Sequence, residues 1–170
     1  MRLMARVIQQ NVGNHPMALD DARPGKVILI VEDQADIRQL IKMSLAFTNH
    51  QIYEAPDCQT AFNMVNTLKP DLMLLDIMLP SGTDDETEGL ANGLTLCRIL
   101  KDNPELADMP IILLTSKGQA IDIKAGLVAG ADEYIVKPFS VIHLIEVALR
   151  QLSIPQAVAA RKITDRPIHT

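Results

Sequence analysis

The sequence predicts an α/β protein, a doubly wound parallel sheet of five strands with five helices packed on its two faces. Three observations point there. Apolar runs such as Val27-Ile28-Leu29-Ile30-Val31, Leu72-Met73-Leu74-Leu75 and Ile111-Ile112-Leu113-Leu114 are unbroken rather than alternating, as in strands buried on both faces. Between the runs lie stretches whose apolar residues recur at helical spacing. The strict alternation of the two kinds of segment implies parallel pairing with right-handed crossovers.

Residues 1–25 read as a partly disordered N-terminal extension, because Gly13, Pro16, Pro24 and Gly25 interrupt any long period. A short helix over Leu3–Val12 is compatible with the pattern, and Met17 is an alternative start. The domain proper spans 26–152. Its first strand, Lys26–Val31, ends in the acidic pair Glu32-Asp33. The helix that follows is expected to bury Ile37, Leu40, Ile41, Ser44 and Leu45 and to expose Arg38, Gln39 and Lys42. Gln51–Ala55 is a short second strand. Asp57 caps a helix that runs to about Leu68 and turns Ala61, Met64, Val65 and Leu68 inward. The third strand runs directly into Asp76, with Pro80 four residues on.

Residues 81–91 form a loop, and the segment Thr83–Glu88 carries four carboxylates. A helix resumes near Asn92, with Leu94, Cys97, Leu100 and Ile99 assigned inward. Pro110–Leu114 is the fourth strand, leading into Thr115-Ser116. A fourth helix, with Ile121, Ala125, Leu127 and Val128 inward, stops at Gly130. Tyr134-Ile135-Val136 is the fifth strand, ending in Lys137-Pro138. Ser140 caps a last helix to about Leu152. That helix carries two apolar stripes, Val141/Leu144/Ala148/Leu152 and Ile142/Ile145/Leu149. One face of a sheet needs a single stripe, so the second is a broad core edge or a surface for a partner. Residues 153–170 are a C-terminal tail, too short for a core of its own.

Composition narrows the function classes. The chain has 170 residues, 48% of them hydrophobic, and no tryptophan. This suffices for one aliphatic, methionine-filled core. No apolar run reaches the ~18–20 residues of a membrane span, and the N-terminus lacks the apolar centre of a secretion signal. Cys58 and Cys97 are isolated, which suggests thiols in a cytoplasmic protein. The net charge of −5 argues against broad nucleic-acid binding. The charge is uneven, with basic excess in both terminal segments and an acidic middle.

The strand ends carry the chemistry. Glu32 and Asp33 follow strand one, Asp76 ends strand three, Thr115 strand four and Lys137 strand five. With strand order 2-1-3-4-5, strands one and three are neighbours, and the carboxylates converge at the switch point. Three clustered carboxylates require a cation or a proton. Oxygen ligands of this kind suit Mg²⁺. A hard cation, a lysine and a hydroxyl around one carboxylate suit phosphoryl transfer to that carboxylate. Taken singly, each residue is an ordinary turn, cap or surface group; the joint placement is what argues for a site.

Val31-Glu32-Asp33, Leu74–Pro80, Leu114-Thr115-Ser116, Gly130–Tyr134 and Val136–Phe139 together resemble the receiver domains of two-component response regulators. The resemblance covers about residues 26–152 and implies a flavodoxin-like fold. It implies that Asp76 is the phosphoacceptor. Asp33, Asp76 and the Met78 backbone carbonyl would bind Mg²⁺, with Glu32 helping through water. Thr115 would hydrogen-bond the phosphoryl group, Lys137 would form its salt bridge, and Tyr134 would be the aromatic switch coupled to Thr115. The implied partners are a histidine kinase or histidine phosphotransfer protein and an unknown downstream protein, with neither nucleic acid nor membrane expected. The surface of the fourth helix, fifth strand and last helix would be the output face, with a homodimer as one use of it. No effector domain is expected after the tail, and no turnover beyond the chain's own phosphorylation and dephosphorylation.

The sequence also departs from the family. The glycine that usually stands about eight residues past the phosphoacceptor corresponds here to Gly93, 17 past Asp76. The acidic loop is thus an insertion. Cys58 stands where glycine is common, and Gly126 where alanine is common. Two other readings compete. An aspartyl-phosphate phosphohydrolase commonly has a second acid two residues after the nucleophile, where this chain has Met78. A phosphorylation-independent scaffold would keep the fold without using the site. A P-loop enzyme is excluded, since G-x-x-x-x-G-K-[ST] does not occur.

Overall fold

The computed structural model describes residues 25–80, 90–116 and 128–153. The five strands are β1 (Val27–Val31), β2 (Gln51–Ala55), β3 (Leu72–Asp76), β4 (Ile111–Ser116) and β5 (Glu133–Lys137). They pair in parallel in the order β2-β1-β3-β4-β5. The described helices are α1 (Ala35–Leu45), α2 (Cys58–Leu68), α3 (Gly93–Asp102) and α4 (Val141–Ser153). The architecture is the flavodoxin-like one expected. The expected helices over Leu3–Val12 and over residues 121–127, most of the acidic loop, and the tail beyond Ser153 lie outside the described residues.

Strand periodicity divides the core into two layers. Ile28, Ile30, Leu72, Leu74, Ile112 and Leu114 face α1 and α4, meeting Ile41, Leu45, Leu144, Val147 and Ala148. Their neighbours Leu29, Val31, Met73, Leu75, Ile111 and Leu113 face the opposite way, onto Ala61 and Val65 of α2 and Leu96, Cys97 and Leu100 of α3. Each fully buried aliphatic side chain contributes roughly 1.5–3 kcal/mol. That both parities of the same strands are apolar explains why these runs do not alternate.

Local signals stop and start the helices as anticipated. Asp57 accepts hydrogen bonds from the Thr60 N–H at 2.7 Å and the Thr60 hydroxyl at 2.9 Å. Asn92 does the same for Thr95 at the start of α3. Gly130 adopts φ 94°, the left-handed stop. The Ser140 carbonyl accepts the Leu144 N–H at 3.0 Å as α4 begins.

Some expected helix faces need correction. Leu40, assigned to the core, is 46% exposed, because Ile41, Ser44 and Leu45 already fill the α1 face against the sheet. In α3, Leu96 is buried, and Ile99, expected inward, lies at the exposed rim. The register of α3 is set by its start at Gly93, which turns Leu96 and Leu100, one helical turn apart, toward the sheet. Val128 is 71% exposed, not inward. In α4, Leu144, Ala148 and Leu152 are buried as expected, joined by Val147 and Gln151. Of the second stripe, Ile145 packs at the core edge, while Ile142 and Leu149 stay exposed.

Candidate functional site

Parallel register brings every singled-out strand end to one edge of the sheet. Val31 lies beside Leu75, Asp76 beside Leu114, and Ser116 beside Lys137. The Lys137 ammonium donates to Glu32 Oε2 and to Asp76 Oδ2, each at 2.6 Å. These contacts join residues 105 and 61 positions apart in the chain. Glu32 and Asp76 are buried, and Asp33 is exposed at the mouth. Ligand oxygens of Glu32, Asp33 and Asp76 all lie within 4.8 Å of one another. Asp76 Oδ1 accepts the Met78 N–H at 3.1 Å. The Met78 side chain is exposed, while its backbone N–H faces Asp76.

Thr115 is buried, and among the described residues its hydroxyl has no hydrogen-bond partner. A buried hydroxyl without a partner costs of the order of 1–3 kcal/mol. It stands at the end of β4, beside the strand that carries Asp76. Tyr134, on β5, is 38% exposed and so turned outward.

Burial pushes the Glu32 carboxyl up to about 7; the hydrogen bond from Lys137 opposes the rise and the Asp76 charge adds to it. For Lys137, burial alone would lower the ammonium's pKa. Its hydrogen bonds to Asp76 and Glu32 outweigh that, and the net shift is upward. Lys137 thus bridges two of the three crowded carboxylates. This set of hard oxygen donors around a single ammonium fits a small divalent cation such as Mg²⁺.

The contacts of two further residues support the site. Arg38, expected on the solvent face of α1, reaches back to the Glu32 carbonyl at 2.6 Å and the Asp33 carbonyl at 3.2 Å. A basic residue one turn into a helix that follows an acidic turn is the signal that could have found it. Gly93 packs directly under Asp76: a Cβ there would lie 2.0 Å from the Asp76 carbonyl oxygen. The Gly93 N–H also donates to the Ile77 carbonyl at 3.1 Å. The start of α3 is therefore held against the end of β3. Cys58, at the start of α2, is buried, and burial pushes its thiol up to about 12. That makes it a packing residue rather than a nucleophile.

The family model of the response regulator receiver domain matches residues 28–149. The chain belongs to this family. Its receiver is 44% identical over 121 residues to the phosphate regulon transcriptional regulatory protein PhoB of Pseudomonas aeruginosa, covering 71% of this chain and 49% of that protein. It is 32% identical over 143 residues to the DNA-binding dual master transcriptional regulator RpaA of Synechocystis, covering 82% of this chain and 56% of that one. The chain thus spans about half the length of these curated relatives. Among solved structures, the receiver domain of NtrX from Brucella abortus superposes with a TM-score of 0.66 at 30% identity, over 75% of this chain and 99% of that one. A response regulator from Chloroflexus aurantiacus gives 0.68 at 26% identity, over 76% and 99%.

Among the described residues, no helix of the receiver is long and apolar enough to cross a membrane.

Proposed function

We propose that this receiver is the phosphoacceptor of a two-component phosphorelay, with Asp76 taking a phosphoryl group from a histidine kinase or histidine phosphotransfer protein. The observation that carries the reading is the meeting of three groups at one sheet edge: the buried Asp76 carboxylate, the Lys137 ammonium at 2.6 Å, and the Thr115 hydroxyl, which has no partner among the described residues. An Asp76 carboxylate oxygen attacks phosphorus in line. The O–P bond forms, the N–P bond of the phosphohistidine breaks, and its electron pair returns to the imidazole. Lys137, already in the site, pairs with the incoming phosphoryl oxygens, and the Thr115 hydroxyl gains the acceptor it lacks. Asp33, Asp76 and the Met78 carbonyl, with Glu32 through water, would hold Mg²⁺. That ion, when bound, neutralises phosphoryl oxygen charge.

Movement of Thr115 toward the phosphoryl group leaves space at the end of β4. Tyr134 turns inward to fill it, changing the face that also carries the exposed Ile142 and Leu149. The output is altered protein binding through that face, to a downstream protein or a second copy, in the cytoplasm. The chain turns over no substrate beyond its own phosphorylation and dephosphorylation. The relatives named as regulators of transcription raise a DNA-directed output for a longer protein. For the receiver itself, an acidic body favours protein partners over nucleic acid.

The test is incubation with Mg²⁺ and a small acyl-phosphate donor, followed by mass spectrometry. A labile adduct on Asp76 is expected, and none in Asp76→Asn, whose circular dichroism stays that of the wild type. An adduct that persists in the variant overturns the reading. So does a wild type that takes phosphate from neither the small donor nor a phosphohistidine protein. Rapid multiple turnover of a phosphate ester would instead favour a hydrolase.

A further inference from the structure

The turn that carries Glu32 and Asp33 is short, exposed on one side, and followed at once by α1. Its two carbonyls are acceptors that solvent or a side chain must serve. One Arg38 Nη1 donates to both, at 2.6 Å to Glu32 and 3.2 Å to Asp33. The Arg38 backbone N–H donates to the Gln34 carbonyl at 3.0 Å, so the side chain starts from the same turn that it ties. Its Nε lies 3.5 Å from Glu54 Oε2 on β2, and Glu54 Oε1 is held by Lys42 from α1. The guanidinium is thus locked between a carboxylate on the edge strand and two carbonyls of the acidic turn. Its side chain is only 19% exposed. A planar guanidinium holds its donors in a fixed fork, an orientation that an ammonium on a flexible stem does not impose.

We infer that Arg38, oriented by Glu54, is a positioning residue that sets the divalent-cation affinity of the acidic cluster by fixing the backbone beneath Glu32 and Asp33. This rests on the proposed reading that Glu32, Asp33 and Asp76 bind Mg²⁺. Partners that orient metal-binding side chains typically change affinity ~10–100-fold when removed. The sign separates this role from a purely electrostatic one. Arg38 is a cation close to a cation site, so its charge alone opposes Mg²⁺; deleting it would then tighten binding. Positioning requires the reverse.

The experiment is a calorimetric titration of Mg²⁺ into the full chain, the wild type beside Arg38→Ala, Arg38→Lys and Asp33→Asn, with thermal unfolding of each metal-free protein as a check on folding. The wild type binds and Asp33→Asn loses binding. Arg38→Ala binds about tenfold more weakly. Arg38→Lys, which keeps the charge but loses the fork, also binds several-fold more weakly. If either variant binds as tightly as the wild type, or more tightly, the inference is overturned while the site reading stands. If the wild type binds no Mg²⁺, or Asp33→Asn binds as well as the wild type, the site reading fails and takes the inference with it. Should Arg38→Ala not fold, Arg38→Lys decides the matter alone.

Discussion

Replacing Gly93 by alanine places a methyl carbon 2.0 Å from the Asp76 carbonyl oxygen, 3.0 Å from its carbonyl carbon and 3.1 Å from the Ile77 Cα. Alanine ordinarily gains up to ~1 kcal/mol over glycine inside a helix. At this first helical position, where the turn is only half formed, the gain is smaller. The opposing contact is against backbone, which cannot rotate away as a side chain would. Either α3 lifts from the sheet or the Asp76–Ile77 backbone bends. Lifting α3 breaks the 3.1 Å hydrogen bond from Gly93 to Ile77 and loosens Leu96, Cys97 and Leu100, all fully buried. Overpacking of this kind costs ~1–3 kcal/mol and sometimes more. With the hydrogen bond added, about 3 kcal/mol of net destabilisation is expected. Urea unfolding monitored by far-ultraviolet circular dichroism measures it as a lowered midpoint at unchanged slope. Acyl-phosphate labelling of the same variant should slow, because the Asp76 backbone is the element displaced. A Gly93→Ala protein as stable as the wild type would refute the argument, and α3 could not then start against Asp76.

Lys101→Met should destabilise by about 2–4 kcal/mol in the same assay. The Lys101 ammonium holds the Ala107 carbonyl at 3.0 Å, the Met109 carbonyl at 2.7 Å and Asp132 at 2.7 Å, and methionine leaves all three short of a donor. Labelling of Asp76 should be unaffected, and an unchanged urea midpoint would count against the clamp. His50, far from the site, has its pKa lowered by burial and by the nearby Lys26, with Asp71 opposing. The unfolded chain then binds a proton more readily than the folded one, so this group removes stability as the pH falls below about 6.5. His50→Gln should lose less stability than the wild type between pH 7.5 and 5.5, and equal losses would show that His50 contributes nothing. Deleting residues 83–88 should leave Asp76 open to phosphorylation but change its rate or its partner, measured by labelling time courses and by pull-down. If neither changes, the acidic run is an insertion without a role.

The sequence by itself determined the strands, their parallel arrangement and the residues at their ends. A strand buried on both faces must be apolar at both parities, as Ile28 to Val31 and Leu72 to Leu75 are, and that pattern is local. Helix boundaries were legible for the same reason, since Asp57, Asn92 and Gly130 act on backbone groups within a turn of themselves. The motif at the strand ends was also legible, because a parallel sheet delivers those ends to one edge whatever the loops between them do.

Only the tertiary structure decided how the groups engage. That Lys137 bridges Glu32 and Asp76, that the Thr115 hydroxyl stands without a partner among the described residues, and that Arg38 turns back from the surface depend on register between strands distant in the chain. Helical spacing could not choose between Leu96 and Ile99, or keep Leu40 out of the core. Neighbouring positions on an amphipathic helix are separated only by how the helix is seated. Gly93 belongs to the same class. The sequence places the start of a helix near its neighbour Asn92, but the need for a bare Cα arises from the Asp76 carbonyl, across a loop of unusual length. Periodicity records what each segment buries; which atoms then meet is set by packing between segments.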